Sequence, residues 1–155
     1  NLCNELKGNT LVLYSLVEKH GKELYRLAQQ LDKKVFFVHG GVSGVDRDEI
    51  RGIVEKETDA LIVASDGTFS TGVNIRRLSN IVFASPSKSK IRVLQSIGRG
   101  LRTHTDKDTT KLFDIVDDLR WRKWTNFTLK HYGDRLKIYN DEEFQYKIHS
   151  YTLKD

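Results

Sequence analysis

A parallel α/β sheet with helices on both faces is the fold class this sequence predicts, and three observations carry it. Short apolar runs recur along the chain at Leu11–Tyr14, Val35–Val38, Ala60–Ala64, Ile81–Ala84 and Leu112–Val116. Continuous runs of this length are the pattern of strands buried on both sides, the condition inside a parallel sheet. Segments of helical periodicity separate the runs, and such alternation predicts right-handed crossovers. The length, 155 residues, suits a single core.

The first strand ends at Ser15. Ser15 and Glu18 form a capping-box pattern, and Leu16, Val17, His20, Leu24, Leu27, Ala28 and Leu31 recur at helical spacing, which predicts a helix through about residue 31. After the second strand comes a turn at His39, Gly40 and Gly41; Ser43 and Asp46 then open a helix holding Ile50, Ile53 and Val54. A Gly- and Ser/Thr-rich loop from Ser65 to Asn74 joins the third and fourth strands. Pro86 to Ser89 punctuate the chain before a helix over about residues 89 to 101, marked by Ile91, Leu94, Gly98 and Leu101. The charged stretch Asp106 to Lys111 leads into the fifth strand.

Residues 119 to 139 break the rhythm. They carry Trp121, Trp124, Phe127, Leu129, Tyr132, Leu136 and Tyr139 among many charges, which predicts a helix packed on the body. Phe144, Tyr146, Ile148 and Tyr151 come close to two-residue alternation and predict a terminal edge strand. Residues 1–118 thus read as the sheet domain, and residues 119–155 as a C-terminal helix and strand packed on it.

Composition narrows the function classes. Hydrophobic residues at 38% and aromatics at 10% exclude simple disorder. No apolar run approaches the roughly 18 residues of a membrane span, and Asn1 to Asn9 show neither a basic n-region nor a cleavage site, so a soluble, cytoplasmic protein is expected. Cys3 is the lone cysteine, which excludes an intrachain disulfide and a cysteine-cluster metal site. A net charge of +5 permits an anionic partner such as nucleic acid, although many solvated domains are this basic. The chain opens towards a strand without an initiating Met, so a piece of a longer polypeptide is expected.

Several catalytic patterns are missing. A phosphate-cradling loop needs Lys and Ser/Thr after its second glycine, and Val73 and Asn74 follow Gly67 and Gly72. Asp48 and Glu49 sit inside an amphipathic helix, away from the strand end that a magnesium-binding acidic box requires. His20, His39, His104, His131 and His149 show no ligand spacing, so no metal site is indicated. There is no Gly-x-Ser-x-Gly elbow.

What remains is a set of strand-to-loop junctions and one arginine-bearing helix. Gln95, Gly98, Arg99 and Arg102 recur at steps of three and four, which would set two guanidinium groups side by side on one helical face. That arrangement suits phosphate oxygens, and a solvated basic face is the plain alternative. The loop Ser65 to Asn74 follows a buried strand, where open α/β sheets place their ligands; an ordinary connection is its plain alternative. Trp121 and Trp124 admit two readings, anchors of a helix or platforms for bases.

These pieces, in this order, resemble the second RecA-like domain of a superfamily 2 helicase or translocase over about residues 9 to 118. Leu11 to Ser15 resembles motif IV, and His39-Gly40-Gly41 with Arg47 resembles the His-Gly turn. Val63 through Ile75 resembles motif V, and Gln95 through Arg102 resembles motif VI. Ser65, Asn74 and Leu101 depart from the common Thr, Asp and Gly, which points away from the DEAD-box branch. The tail Tyr132 to Tyr139 narrows the likeness to helicases that act on branched DNA.

The resemblance implies a RecA-like sheet that closes on ATP held, with Mg2+, mainly by a first RecA-like domain of the same polypeptide. Arg99 and Arg102 would reach the γ-phosphate as arginine fingers, with Gln95 sensing its state. Gly72 and Asn74 would lie near the nucleotide's sugar. Ser15, His39, Gly40 and Ser65 would contact the backbone of DNA without reading its sequence. For Ser15, a helix-capping role is the competing explanation. An RNA helicase domain, a non-catalytic nucleic-acid-binding module and a phospholigand-binding α/β domain are the other classes left open.

Overall fold

The structure is a computed structural model and describes residues 2–70, 75, 78–85, 94 and 109–152. Its centre is β1 (Thr10–Tyr14), buried along its whole length between two parallel neighbours. On one side lies β3 (Leu61–Ser65) and beyond it β2 (Val35–Val38); on the other lie β4 (Asn80–Phe83) and β5 (Lys111–Asp114). The five strands run parallel in the order β2-β3-β1-β4-β5.

The pleat explains the two cores. Leu11 and Leu13 face one side with Ile62, Ala64, Ile81 and Phe83; Val12 and Tyr14 face the other with Leu61, Val63 and Val82. The first side is covered by α3 (Gly44–Val54) and by α5 (Phe127–Asp141), through Ile50, Val54, Leu136 and Tyr139. The second side is covered by α1 (Leu2–Glu5) and α2 (Lys22–Ala28), through Leu2, Cys3, Leu24 and Ala28. β1 to β2 and β2 to β3 step across the sheet in opposite directions, so one hand of crossover requires α2 and α3 on opposite faces. They are. Full burial of each such Leu, Val or Phe stabilises the fold by roughly 1.5–3 kcal/mol.

Two buried amides tie off the amino ends of the strands. Asn9 Nδ2 donates to the carbonyls of Val54 and Glu57, while its Oδ1 accepts from Ala60 N, so one side chain joins the end of α3 to the start of β3. Asn80 Nδ2 donates to Lys7 O and Thr10 Oγ1. Each would cost a desolvation penalty of about 1–3 kcal/mol if left unpaired, and each is paired.

Four sequence expectations need correction. The segment after β1 is not one helix capped by Ser15: a π-helical turn, Val17–Gly21, precedes α2, with Gly21 N donating to Leu16 O. Gly21 is required there, because a Cβ would stand 2.5 Å from the buried Tyr14 ring. The loop after β3 begins as a short helix, α4 (Asp66–Ser70). Residues 119–126 are not helical; α5 starts at Phe127, after an irregular segment. The terminal edge strand is not formed among residues 144–152. Phe144 and Tyr146 instead pack their rings against Tyr139 of α5, and Phe144 N donates to Tyr139 O, so the alternation serves side-chain packing without a ladder. The expected helix over residues 89 to 101 lies outside the described residues, apart from the buried Leu94.

Candidate functional site

Parallel strands end on one rim, and that rim gathers the polar residues of the loops that follow them. Ser15 follows β1, His39 and Gly40 follow β2, and Ser65 closes β3. Because β2, β3 and β1 are neighbours, these junctions lie side by side. Ser15, exposed, donates from Oγ to Asp66 Oδ2 at 2.7 Å across 51 positions of sequence. This bond is the reason Ser15 does not cap a helix: a buried carboxylate accepts more strongly than a neutral partner.

Ser65 is buried and its Oγ shares a 2.7 Å hydrogen bond with Thr68 Oγ1, itself buried in the first turn of α4. The hydroxyl therefore lies one layer below the surface of the rim. Beneath it the Tyr14 ring is fully buried, and its hydroxyl donates at a long 3.5 Å to Val38 O. Burial, with the Asp66 carboxylate nearby, pushes the Tyr14 phenol up to about 12.

His39 stands on an aromatic stack. Its ring lies 5.0 Å from Phe37, which stacks on Tyr25 at 4.9 Å and on Tyr14 at 5.9 Å. Val42 N donates to His39 O to close the turn, and Gly41 N donates to His39 Nδ1 at 3.1 Å. With Nδ1 accepting, the neutral ring carries its proton on Nε2. A Cβ at Gly41 would sit 3.0 Å from the imidazole, so glycine lets the amide come this close. Gly40 is exposed with open space around it. Ser43 then caps α3 as its spacing predicted, accepting from Asp46 N at 3.1 Å.

The structure thus brings Ser15, His39, Gly40 and Ser65 to one rim. Gly72, Asn74, Gln95, Arg99 and Arg102 lie outside the described residues. The sequence reading missed Asp66 and Thr68 as members of the rim, although they stand inside the quoted Ser65 to Asn74 loop. It also missed His20 and Ser85, which meet at 3.3 Å after β1 and β4; no spacing connects residues 65 positions apart. Among the described residues, no helix is long and apolar enough to cross a membrane.

Comparisons with known proteins identify the family and the fold. Residues 1–104 match the family model described as the helicase conserved C-terminal domain. The chain is 36% identical over 155 residues to the ATP-dependent DNA helicase uvsW of Enterobacteria phage T4, an alignment covering 94% of this chain and 31% of that protein. The crystal structure of T4 UvsW superposes with a TM-score of 0.70 at 35% identity, covering 91% of this chain and 31% of that one. The C-terminal part of the Fun30 ATPase domain shares the fold at 18% identity, with a TM-score of 0.59 and coverage of 90% and 49%. The chain spans about a third of the length of its T4 relative. The parallel sheet is RecA-like, and the chain belongs to the helicase conserved C-terminal domain family.

Proposed function

We propose that this chain is the second motor domain of an ATP-dependent superfamily 2 DNA helicase or translocase, one that remodels branched DNA in recombination, repair or replication. Residues 1–118 form the RecA-like unit and residues 119–155 an extension on it. The observation that supports the reading most directly is the shared rim. His39 and Gly40 offer an imidazole N–H and a backbone N–H at the end of β2, and the Ser15 hydroxyl beside them joins in when it turns from Asp66 to a phosphate. These are uncharged donors suited to phosphates, and they position a strand without reading its bases. Ser65 acts from below, through Thr68.

Arg99 and Arg102 complete the ATP site contributed mainly by a first RecA-like domain of the same polypeptide. Their guanidinium groups neutralise charge on the γ-phosphoryl oxygens, Gln95 follows the phosphate state, and Gly72 and Asn74 lie near the sugar. Mg2+ is held with the ATP, mainly by that first domain. The protein would work in the cytoplasm, that of the host cell if its gene is carried by a phage.

The test is kcat, nucleotide affinity and melting temperature for Arg99→Ala and Arg102→Ala in the full-length protein. Each should lower kcat by roughly 10³- to 10⁵-fold with the melting temperature unchanged, as for other arginine fingers. Lys should rescue poorly, since it lacks the planar fork. Near-normal turnover in both Ala variants would reject the role. The 155-residue chain alone should release no phosphate from ATP.

A further inference from the structure

The segment between β5 and α5, together with the first residue of α5, carries three large exposed aromatics that the rim reading leaves unused. Trp121 and Trp124 are 71% and 58% exposed, and Phe127 is 74% exposed. The two tryptophans close a tight turn: Trp121 N donates to Trp124 O at 3.2 Å and Trp124 N to Trp121 O at 2.9 Å. Residues paired this way project their side chains to the same side of the ribbon. Arg122 holds φ at 53°, a conformation costing a non-glycine residue about 1–2 kcal/mol, so the turn is held by its surroundings.

Those surroundings are visible. Asn126 is buried; its Oδ1 accepts from Leu119 N at 3.3 Å, and its Nδ2 donates to Asp117 O at 2.8 Å, pinning both ends of the loop.

Charge identifies the occupant. Residues 119–130 hold Arg120, Arg122, Lys123 and Lys130 with no acidic residue. Arg120 pairs with Asp118, while Arg122 lies 6.0 Å from the Trp121 ring centre and Lys130 lies 5.8 Å from that of Phe127. Cations interleaved with exposed indoles fit a polyanion that carries flat rings. A protein interface would take the aromatics and the arginines but disfavours the two lysines.

We propose that the Trp121–Trp124 turn is a base-stacking site for single-stranded nucleic acid, separate from the phosphate contacts on the rim. The idea rests on the nucleic-acid reading of this domain and adds the surface that grips bases. Stacking uses the face common to all bases, so the site is indifferent to sequence and accepts deoxyribose and ribose strands alike.

Trp121 and Trp124 are the only tryptophans of the chain, so its tryptophan emission, excited selectively over that of the six tyrosines, reports this site alone. The chain is titrated with (dT)20, with (rU)20 and with an abasic oligomer of equal phosphate number, following both tryptophan emission and the anisotropy of a labelled strand. Both base-bearing strands should quench the emission to saturation, and the abasic strand should bind more weakly without quenching. Trp121→Ala and Trp124→Ala should each weaken (dT)20 binding by about 5- to 150-fold, with Phe restoring most of it. Both side chains are exposed, so circular dichroism should stay unchanged.

Binding by anisotropy with unchanged emission and unchanged affinity in both Ala variants would overturn the stacking site and leave the rim reading standing. Absence of any binding would overturn both. In the full-length protein, indoles that acrylamide cannot reach, judged against the double Phe variant, would be covered by another segment, which also overturns the proposal.

Discussion

Two polar constellations sit at carboxyl ends of the same sheet, and they use charge in opposite ways. At the end of β5, Asp114 accepts from Arg135 Nε at 2.7 Å and Nη2 at 2.9 Å and from Tyr139 OH at 2.7 Å. Arg135 is fully buried and Asp114 nearly so, and the pair joins α5 to the sheet edge. At the ends of β1 and β3, by contrast, a buried carboxylate, Asp66, accepts from the exposed Ser15. The anchor lies in the interior, where Arg135 Nη1 is left without a hydrogen-bond partner among the described residues; the rim stands at the surface, where Ser15 and Gly40 are exposed. Both would read as surface chemistry in a list of polar residues, and only the anchor is an ion pair.

The largest break in this comparison comes from Arg135→Met. Removing one member of a buried ion pair leaves the other uncompensated, which costs about 3–5 kcal/mol. For a chain of this size the melting temperature should fall by roughly 6–20 °C. Adding Asp114→Asn, which keeps an acceptor for Tyr139, should recover much of the loss. A single variant that melts like the parent would show that the pair anchors nothing.

Ser15→Ala probes the rim and should cost less, roughly 0.5–1.5 kcal/mol for one hydrogen bond at an exposed residue. Its greater effect should be several-fold weaker binding of a single strand. Because serine is uncharged, the dependence of affinity on salt should keep its slope, unlike the loss of a Lys or Arg contact. A salt series on parent and variant measures both. A changed slope would mean that Ser15 acts through a displaced cation.

The smallest effect sharpens the link between rim and core. Tyr14 keeps its proton to about 12 in the fold, whereas an ordinary tyrosine loses it near 10. The raised value means that its stabilising contribution is complete below pH 10 and is lost as pH rises through about 12. Tyr14→Phe should cost less than about 1 kcal/mol at neutral pH, given the long hydrogen bond. The stability gap between parent and variant should then shrink or reverse between pH 10 and 12. Parallel pH-melting profiles would reveal a constant gap if the phenol were not shielded.

Where the sequence reading succeeded, the signal was local. Buried strands need uninterrupted apolar residues, so each run marked one. Ser43 needed only the amide three positions on, and His39-Gly40-Gly41 needed only its own turn. The helicase likeness over residues 9 to 118 likewise rested on short contiguous motifs in order.

Where it failed, the deciding partner was remote. The Ser15–Glu18 pattern is a sound capping signal, yet the Ser15 hydroxyl donates to Asp66 at the end of the neighbouring strand β3. Trp121 and Trp124 have helical spacing, but Asn126 holds that stretch in a turn with both rings outside. The alternation from Phe144 to Tyr151 fits a strand, and the Tyr139 ring took Phe144 and Tyr146 instead. Asp114 was expected only as part of the fifth strand and Arg135 only as part of the C-terminal helix, and nothing local pairs residues 21 positions apart.

By itself the sequence determined the α/β class, the positions of the strands and the family of the chain, because hydrophobic periodicity and short motifs are written in consecutive residues. Only the tertiary structure decided the strand order, the membership of the rim, the buried anchor and the exposure of the tryptophans. Those depend on which distant groups compete for the same hydrogen bond or the same apolar surface, and the winner is set by proximity in space.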